Sequence, residues 1–393
     1  MTHSGETNED APRPSPRHAA WRWATPEAQA VLATHDLAAI LRFHRRVHSQ
    51  SQTETGALIG YDKTYISAIE LGKRRLTDLD SLRHIAAQLS LPAHVLGVTD
   101  PADTDFRALV QFGQSTVRLA EIARQAGHAS EAVAELWPLV ARLEARTRDG
   151  HTEREALRLL AAAQLGLGTA LGNVLPEERL STAAHWTAKS LPVVSFFDEP
   201  GLTTTALRMH GNELRKAGLT GAAVSRLVRA ASVAPDRTAR AAVLPLLARA
   251  AGALGNASLF DRAVGEAKAL LDVVEHTSLV NPVALYEIEL RGLISTGRTR
   301  VAIGRAEQNA PAATTNVAPQ WRVIELITTG RVRLLAGDNR GATELFHSAT
   351  REARAQRLPH QLQRILRAAG EALPAVRSTA DDVLTQLRAE MAA

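Results

Sequence analysis

Apolar residues recur at helical spacing from the first hundred residues of the chain onward. Between residues 37 and 48 most apolar side chains lie three or four positions apart, and arginines fill the polar side between them, as in an amphipathic helix. The apolar positions are Leu37, Ile40, Leu41 and Val47, and the basic ones are Arg42, Arg45 and Arg46. The pattern predicts a first, basic helix that begins at Leu37.

Two shorter helices are predicted next, over residues 52–59 and 63–71, with the tight turn Gly60-Tyr61-Asp62 between them. Asp62 is suited to cap the later helix because its carboxylate can accept the first free N–H groups. Two helices that pack at a steep angle need a small residue at the crossing, a turn glycine and an apolar inner face on the second helix. Those places are taken, in order, by Gly56, Gly60, Ile66 and Ile69. The segment therefore predicts a helix-turn-helix.

Composition divides the chain into three parts. Residues 1–24 hold three prolines among charged and small polar residues, too little apolar surface to order themselves, and are predicted to be a disordered tail. Trp21 and Trp23 at its end either dock on the folded body or stay exposed. Thr25 and Pro26 form a helix start. The acidic segment 99–105 marks a boundary, so the expected domains are residues 25–100 and 106–393.

Residues 106–393 are predicted to form a helical repeat array. Glycines recur in similar settings at intervals of 45, 46, 37, 42 and 40 residues, namely Gly127, Gly172, Gly218, Gly255, Gly297 and Gly337. Intervals near forty residues fit pairs of helices stacked into a solenoid, in which no pair can bury its apolar face alone. The whole chain is therefore expected to be all-α.

Overall composition supports that class and removes several kinds of chemistry. Aromatic residues are only 4% of the chain, and the alanine-rich usage favours helices because alanine has the best helix propensity. Cysteine is absent, which excludes disulfides, thiol catalysis and Cys-ligated metals, and suits a reducing compartment. No apolar run of 18 residues occurs. We expect a cytoplasmic protein without membrane partners.

The segment from Ser51 to Arg75 resembles the phage-repressor-like (XRE/Cro) family of helix-turn-helix domains, through Ser51-Gln52 and the run Tyr65-Ile66-Ser67-Ala68-Ile69-Glu70-Leu71-Gly72-Lys73-Arg74-Arg75. The resemblance covers roughly residues 37–98 and implies a five-helix DNA-binding domain, completed by helices over residues 78–89 and 92–96. Thr55 departs from it, since the family usually places leucine there, and this is expected to weaken the packing of its helix.

The resemblance implies the residues that would meet DNA. Lys63 and Thr64, and Ser67 and Ala68 one turn later, would reach base edges in the major groove, with Lys63 the candidate for a guanine. Gln52 would touch a phosphate. Tyr65 would either reach the DNA backbone or pack against the domain, and both options remain open.

The charges of this region support a nucleic-acid partner. Lys73, Arg74 and Arg75 directly follow the recognition helix, where cations would contact phosphates. Residues 37–76 hold seven Lys or Arg and three Asp or Glu, which accounts for most of the chain's net charge of +5. The double-stranded DNA that these positions imply is the first expected partner.

Evidence for metal binding or catalysis is weak. His44 and His48 stand four residues apart, a spacing compatible with a metal, but no third ligand accompanies them. The sequence has no Gly-rich phosphate loop and no Gly-x-Ser-x-Gly elbow. We therefore expect no metal, no cofactor and no enzymatic activity.

Two stretches within residues 106–393 resemble tetratricopeptide (TPR) repeats. One runs from Leu207 through Gly211 and Gly218 to Pro235, and the other contains Gly330, Gly337, Ala342, Phe346 and Ala349. In such a repeat the first helix lines the concave surface, and the groove-facing positions follow from the spacing. They are Arg208, Asn212 and Arg215 in the first stretch and, six residues before later turn glycines, Arg249, Arg291 and Arg331.

A row of arginines along a groove indicates an acidic or carboxylate-ended ligand, such as a peptide, because a guanidinium binds a carboxylate through two hydrogen bonds. The amide of Asn212 could pair with a peptide backbone. The alternative is structural: the arginines would pair with Glu287, Glu289 or Glu325 between neighbouring helices.

A helix-turn-helix joined to TPR repeats resembles two-domain transcriptional regulators, and the arginine-rich usage, with only five lysines, is of actinobacterial type. The expected function is sequence-specific DNA binding by a homodimer, formed through the repeats, which also bind a peptide or protein effector that changes DNA affinity. The alternative is a protein-interaction adaptor whose repeats sequester a partner while DNA binding is minor.

Overall fold

The protein is described from a computed structural model, which describes residues 26–89, 91, 93–98, 101–148, 152–308 and 318–392. These residues form helices and connecting turns and contain no β-strand, so the expected all-α class is confirmed. The predicted tail, both of its tryptophans, the predicted N-cap Thr25, Pro92 and residues 99–100 lie outside the described part of the chain.

The α-helices of the described residues are numbered here in chain order. They are α1 Pro26–Leu32, α2 Leu37–His48, α3 Gln52–Ile59, α4 Lys63–Glu70, α5 Leu79–Gln88, α6 Pro101–Gln125, α7 Ala129–Arg148, α8 Arg154–Val174, α9 Leu180–Val194, α10 Pro200–Lys216, α11 Thr220–Ser232, α12 Arg237–Ala253, α13 Ala257–Leu271, α14 Pro282–Ser295, α15 Thr299–Glu307, α16 Pro319–Leu335, α17 Asn339–Ala355, α18 Pro359–Ala369 and α19 Pro374–Ala392. Short 3-10 helices cover Ala93–Leu96 and Glu177–Arg179.

The chain forms two compact units. The first contains residues 1–112, 141–159 and 196–198, and the second contains residues 113–140, 160–195 and 199–393. The expected boundary near residues 99–105 stays a prediction.

Local sequence accounts for the three helices at the centre of the first unit. Ser51 caps α3 and forms a capping box with Glu54, in which each side chain bonds the other residue's backbone N–H. Gly60 follows α3 with φ +77°, and the Asp62 carboxylate accepts from the N–H of Tyr65 at 2.8 Å to start α4. The predicted helix-turn-helix and its cap are confirmed.

Gly56 is required by close approach rather than by its backbone angles, because a Cβ there would overlap the carbonyl oxygen of Tyr61 in the turn. The core beneath the helices is aliphatic and fully buried at Ile40, Ile59 and Ile66. Thr55 is fully buried as well, and its hydroxyl donates to the side chain of Gln50 at 3.2 Å. The hydrogen bond offsets part of the cost of burying a hydroxyl where a leucine was expected.

The second unit contains the predicted succession of helix pairs. Five of the six predicted turn glycines end a helix with positive φ: Gly127, Gly218, Gly255, Gly297 and Gly337. The sixth prediction is wrong, since Gly172 lies inside α8. Glycine is required at position 172 for a different reason, because a Cβ there would overlap the carboxylate of Glu213 on α10.

Small residues set the distance between paired helices. Gly211 on α10 faces Leu227 on α11, where a Cβ would come within 2.6 Å of the leucine Cγ. Gly330 on α16 faces the ring of Phe346 on α17 in the same way, at 3.0 Å. The first helices of successive pairs also pack on one another, in the order α10, α12, α14, α16 and α18. Positions that share one register on these helices therefore come to share one surface.

Candidate functional site

Helix α4, the predicted recognition helix, presents one face to solvent and the other to the core. Lys63 and Thr64 in its first turn are exposed, Ser67 and Ala68 are half-buried, and Ile66 and Ile69 are buried. The exposed face therefore carries the residue types that the sequence assigns to DNA bases. Whether they contact DNA stays a prediction.

Tyr65 is held between two neighbours of the first unit. Its ring stacks on Tyr61 with centroids 4.5 Å apart, and the guanidinium of Arg74 lies 4.3 Å from its centroid. The arrangement favours packing against the domain over a free side chain. Because a cation over an aromatic face is attracted to it, the contact also places the charge of Arg74 beside the recognition helix.

Glu70 joins the three central helices from a buried position. Its carboxylate accepts from Arg45 Nε at 2.7 Å and from Gln52 Nε2 at 2.8 Å, while its carbonyl accepts from Arg42 at 2.6 Å. The side chain of Gln52 is thus oriented by Glu70, so a phosphate contact would use its second amide hydrogen. Sequence reasoning missed Glu70, whose only signal is a carboxylate on the inner side of α4.

Cations without an acidic partner surround α4. Lys63, Lys73 and Arg75 are exposed, and none of them pairs with a carboxylate of the described residues. An exposed cation that no protein anion neutralises remains available to a phosphate. By contrast, the rings of His44 and His48 stack with centroids 4.2 Å apart, and the described residues contain no group of three side chains placed to hold a metal.

The second unit contains a cavity of about 640 Å³. It is lined by the first helices of successive pairs, α10, α12, α14, α16 and α18, together with the C-terminal ends of α6 and α8. Five of the six residues predicted to face the groove line it: Arg208, Asn212, Arg215, Arg249 and Arg291. The spacing rule therefore brings residues 83 positions apart in sequence to one surface.

Arg331 lines a neighbouring cavity of about 300 Å³ instead. Both cavities share Arg291, Ser295, Arg364 and Arg367, so the smaller one continues the larger along the same row of helices. Arg331 is more exposed than the others and lies at the outer end of the row.

Sequence reasoning missed four further cations that line the larger cavity: Arg124, Lys216, Arg364 and Arg367. Arg364 had a usable signal. It stands six residues before Gly370, whose positive φ ends α18, and so obeys the rule that selected Arg249 and Arg291. Gly370 lies outside the forty-residue interval from Gly337, which is why the pattern did not include it.

Four of the cavity's cations have a carboxylate partner. Arg291 pairs with Glu287, Lys216 with Glu213, Arg124 with Glu121, and Arg367 with Glu177. Glu213 and Glu287 are buried, so these two pairs have little exposure to water. The structural alternative therefore holds for Arg291, while Glu289 pairs with Lys268 and Arg305 instead.

The other four cations, Arg208, Arg215, Arg249 and Arg364, have no carboxylate within 4.0 Å among the residues the structure describes. Arg215 donates to the amide oxygen of Asn212 at 3.1 Å, and Arg364 donates to Gln361 at 2.6 Å. Arg249 lies over the ring of Trp321, 5.2 Å from the centroid. Neutral partners orient these guanidiniums without neutralising them.

Burial and mutual repulsion weaken the protonated state of these groups. Loss of hydration and the charge of Arg291 lower the pKa of Arg215 to about 10, and loss of hydration lowers the pKa of Lys216 to about 8. Burial also lowers the pKa of Arg249 and of Arg364 well below the usual arginine range. An anion in the cavity would reverse these effects, since an opposite charge favours the protonated form.

Comparison with known proteins does not assign this chain to a family. No family model matches the sequence, and no curated protein matches it. No helix among the described residues combines the length and hydropathy needed to cross a bilayer.

Two solved structures align with most of the chain at low similarity. The crystal structure of Bacillus thuringiensis PlcR in complex with the peptide PapR7 and DNA covers 89% of this chain and 99% of its own, with 10% identity and a TM-score of 0.27. A circular tandem repeat protein with a novel repeat topology covers 96% of this chain and 97% of its own, with 14% identity and a TM-score of 0.21. Both TM-scores are too low to carry an argument about this chain. The described residues contain a basic helix-turn-helix in the first unit and a cationic cavity in the second.

Proposed function

We propose that this protein is a sequence-specific DNA-binding regulator of transcription whose repeat unit binds an acidic effector. The observation that carries the proposal is the cavity lined by four arginines that lack an acidic partner, in the same chain as a capped and basic helix-turn-helix. The unpartnered arginines do not serve the stability of the fold, because a buried uncompensated charge destabilises its surroundings. A binding protein, rather than an enzyme, accounts for both.

The DNA-binding part of the proposal rests on α4 and the loop after it. Lys63, Thr64, Ser67 and Ala68 would read base edges, while Gln52 and the cations after α4 would hold the phosphates. The short N-terminal unit would recognise one half-site. A homodimer formed through the repeats would then read two half-sites about 10 base pairs apart, or a multiple of that spacing.

The effector part of the proposal rests on the cavity. A peptide or protein segment with acidic groups would place carboxylates among the arginines and its backbone near Asn212. Binding would change the preferred arrangement of the repeats, which couples effector and DNA affinity by a shift in populations. The coupling is reciprocal, so DNA would change effector affinity by the same factor.

The test is recovery of DNA by the full chain. Fragments of a bacterial genome that co-purify with the protein are sequenced, and the enriched sites are footprinted. We expect a two-fold symmetric site with protected half-sites one or more helical turns apart. Weak retention without sequence preference would instead favour the adaptor, whose repeats sequester a partner.

A further inference from the structure

Four arginines from four different helices come together in the lining of the larger cavity. They are Arg215 on α10, Arg249 on α12, Arg291 on α14 and Arg364 on α18, and all four line that cavity. Each lies near enough to others of the set for the charges to act on one another, because Arg215 and Arg291 lower the pKa of both Arg249 and Arg364. We call these four residues the arginine cluster.

Besides Glu213, which acts on Arg215, one carboxylate acts on all four members of the cluster, that of Glu287. It accepts hydrogen bonds from Arg291, and its charge supports the protonated forms of Arg215, Arg249 and Arg364 as well. Glu213 is the other buried carboxylate nearby, but Lys216 neutralises it at 2.9 Å. The cluster therefore holds three positive charges more than its own acid can balance.

Hydrogen-bonding capacity in the cluster is also unused. The Nε groups of Arg215 and Arg249 are buried, and neither has an acceptor among the described residues. A buried donor without an acceptor costs free energy, and the cost is larger when the donor is charged. The cluster thus lacks both negative charge and acceptor oxygens, in a space that opens into the cavity.

We propose that the arginine cluster is a subsite for a phosphoryl group carried by a small-molecule effector. This inference rests on the proposed role of the cavity as the effector site, and it names a phosphorylated small molecule, in place of an acidic peptide, as the occupant. A phosphoryl group brings close to two negative charges and three strong acceptor oxygens on one atom, and a diphosphate brings about three charges. Those charges match the excess in the cluster.

The excess positive charge and the unused donors of the cluster favour phosphate over carboxylate. A carboxylate brings one charge and two oxygens in one plane, so it satisfies one or two guanidiniums that approach in that plane. Three acceptor oxygens on one phosphorus can accept from the guanidiniums of more than two helices at once. Arginine also binds phosphate through two parallel hydrogen bonds.

The rest of the cavity has room for an organic group. Leu246, Trp321 and Ile324 line it beside the cluster, so an apolar or aromatic moiety could pack there while the phosphoryl group lies inside. A volume of about 640 Å³ is within the range of small-molecule sites. The lining therefore assigns the arginine cluster to the anion and the apolar wall to the remainder of the ligand.

Calorimetric titration of the full chain with pyrophosphate tests the assignment, with citrate at equal ionic strength as a carboxylate probe of similar charge. We expect one pyrophosphate per chain, bound at least about tenfold more tightly than citrate, and a raised melting temperature. Arg249→Gln and Arg364→Gln should each weaken pyrophosphate binding about tenfold or more. Arg340→Gln, which changes an arginine whose side chain is 93% exposed, should leave it unchanged.

Three results would overturn the inference. Citrate that binds as tightly as pyrophosphate, and loses affinity in the same variants, would make the cavity a carboxylate site and leave the proposed regulator intact. The subsite is also ruled out if pyrophosphate does not bind. Equal binding of pyrophosphate to the parent, to Arg249→Gln and to Arg249→Lys would rule it out as well. The proposed function is tested by a different experiment, the recovery of specific DNA by the full chain. The titration contains no DNA, so a failure of one experiment does not decide the other.

Discussion

Glu287 and Arg291 form a buried ion pair one turn apart on α14, with Arg291 Nε 2.9 Å from Glu287 Oε1. Thr328 also donates to this carboxylate, at 2.6 Å. Arg249 approaches the same carboxylate from α12 without bonding it. The two arginines occupy the same register of their helices, six residues before a turn glycine, yet one is an internal partner and the other is not.

That difference predicts opposite effects of the same substitution. Arg249→Met removes a buried charge that has no acidic partner, so we expect the free energy of unfolding to rise by about 1 kcal/mol or stay unchanged. Arg291→Met leaves Glu287 without its ion pair and should lower the free energy of unfolding by about 2–4 kcal/mol. Urea denaturation of both variants checks this, and equal losses would show that Arg249 is structural too.

The contact between α8 and α10 can be tested at Gly172. A methyl group at this position would overlap Glu213, so Gly172→Ala should destabilise the repeat unit by about 1–3 kcal/mol. Gly265→Ala is the matched control, because Gly265 is exposed inside α13 with no atom near its Cβ position. Alanine there should stabilise the protein by about 0.5–1 kcal/mol. Thermal denaturation distinguishes the two, and a harmless Gly172→Ala would contradict the described approach of α10.

Lys216 predicts a pH dependence of stability. Its pKa is about 8 in the folded protein and 10.5 as the ordinary value, so between these values the unfolded chain binds a proton that the folded chain does not. Stability rises with pH wherever the unfolded state binds more protons. We expect the contribution of Lys216 to the free energy of unfolding to increase by about 1–3 kcal/mol from pH 8 to pH 10.5.

Denaturation at several pH values measures this contribution as the difference from the double variant Lys216→Met with Glu213→Gln, which removes both charges of the pair. A difference that stays constant over that window would show that the ammonium group keeps its ordinary pKa. The same proton predicts weaker anion binding above pH 8, since the deprotonated amine no longer attracts an anion.

DNA binding separates base contacts from phosphate contacts. Lys63→Ala should weaken the specific site by about 1–3 kcal/mol and relax the preference at one base pair. Arg75→Ala should weaken all sequences alike and reduce the slope of log affinity against log salt by about one. Competition binding at several salt concentrations measures both, and equal losses on specific and random DNA would place Lys63 on a phosphate.

The helix-turn-helix was predictable almost residue by residue because its signals are local. Asp62 caps the helix that directly follows it, Gly60 takes the left-handed turn beside it, and the inner isoleucines repeat at helical spacing. Each of these features depends on neighbours within a few positions. The same reason explains the turn glycines of the repeats, while Gly172 was misassigned because a glycine inside a helix and one in a turn look alike without the helix that packs on it.

What the sequence by itself determined is the class of the protein, the succession of its helices and the register that turns Arg249 and Arg291 toward one groove. Only the tertiary structure decided which cations are neutralised. Glu287 meets Thr328 from α16, Glu213 comes against Gly172 of α8, and Arg364 joins Arg215 from 149 residues away. Helical periodicity specifies the side of a helix on which a charge lies, but the sign and distance of the charge opposite are set by the packing of other helices.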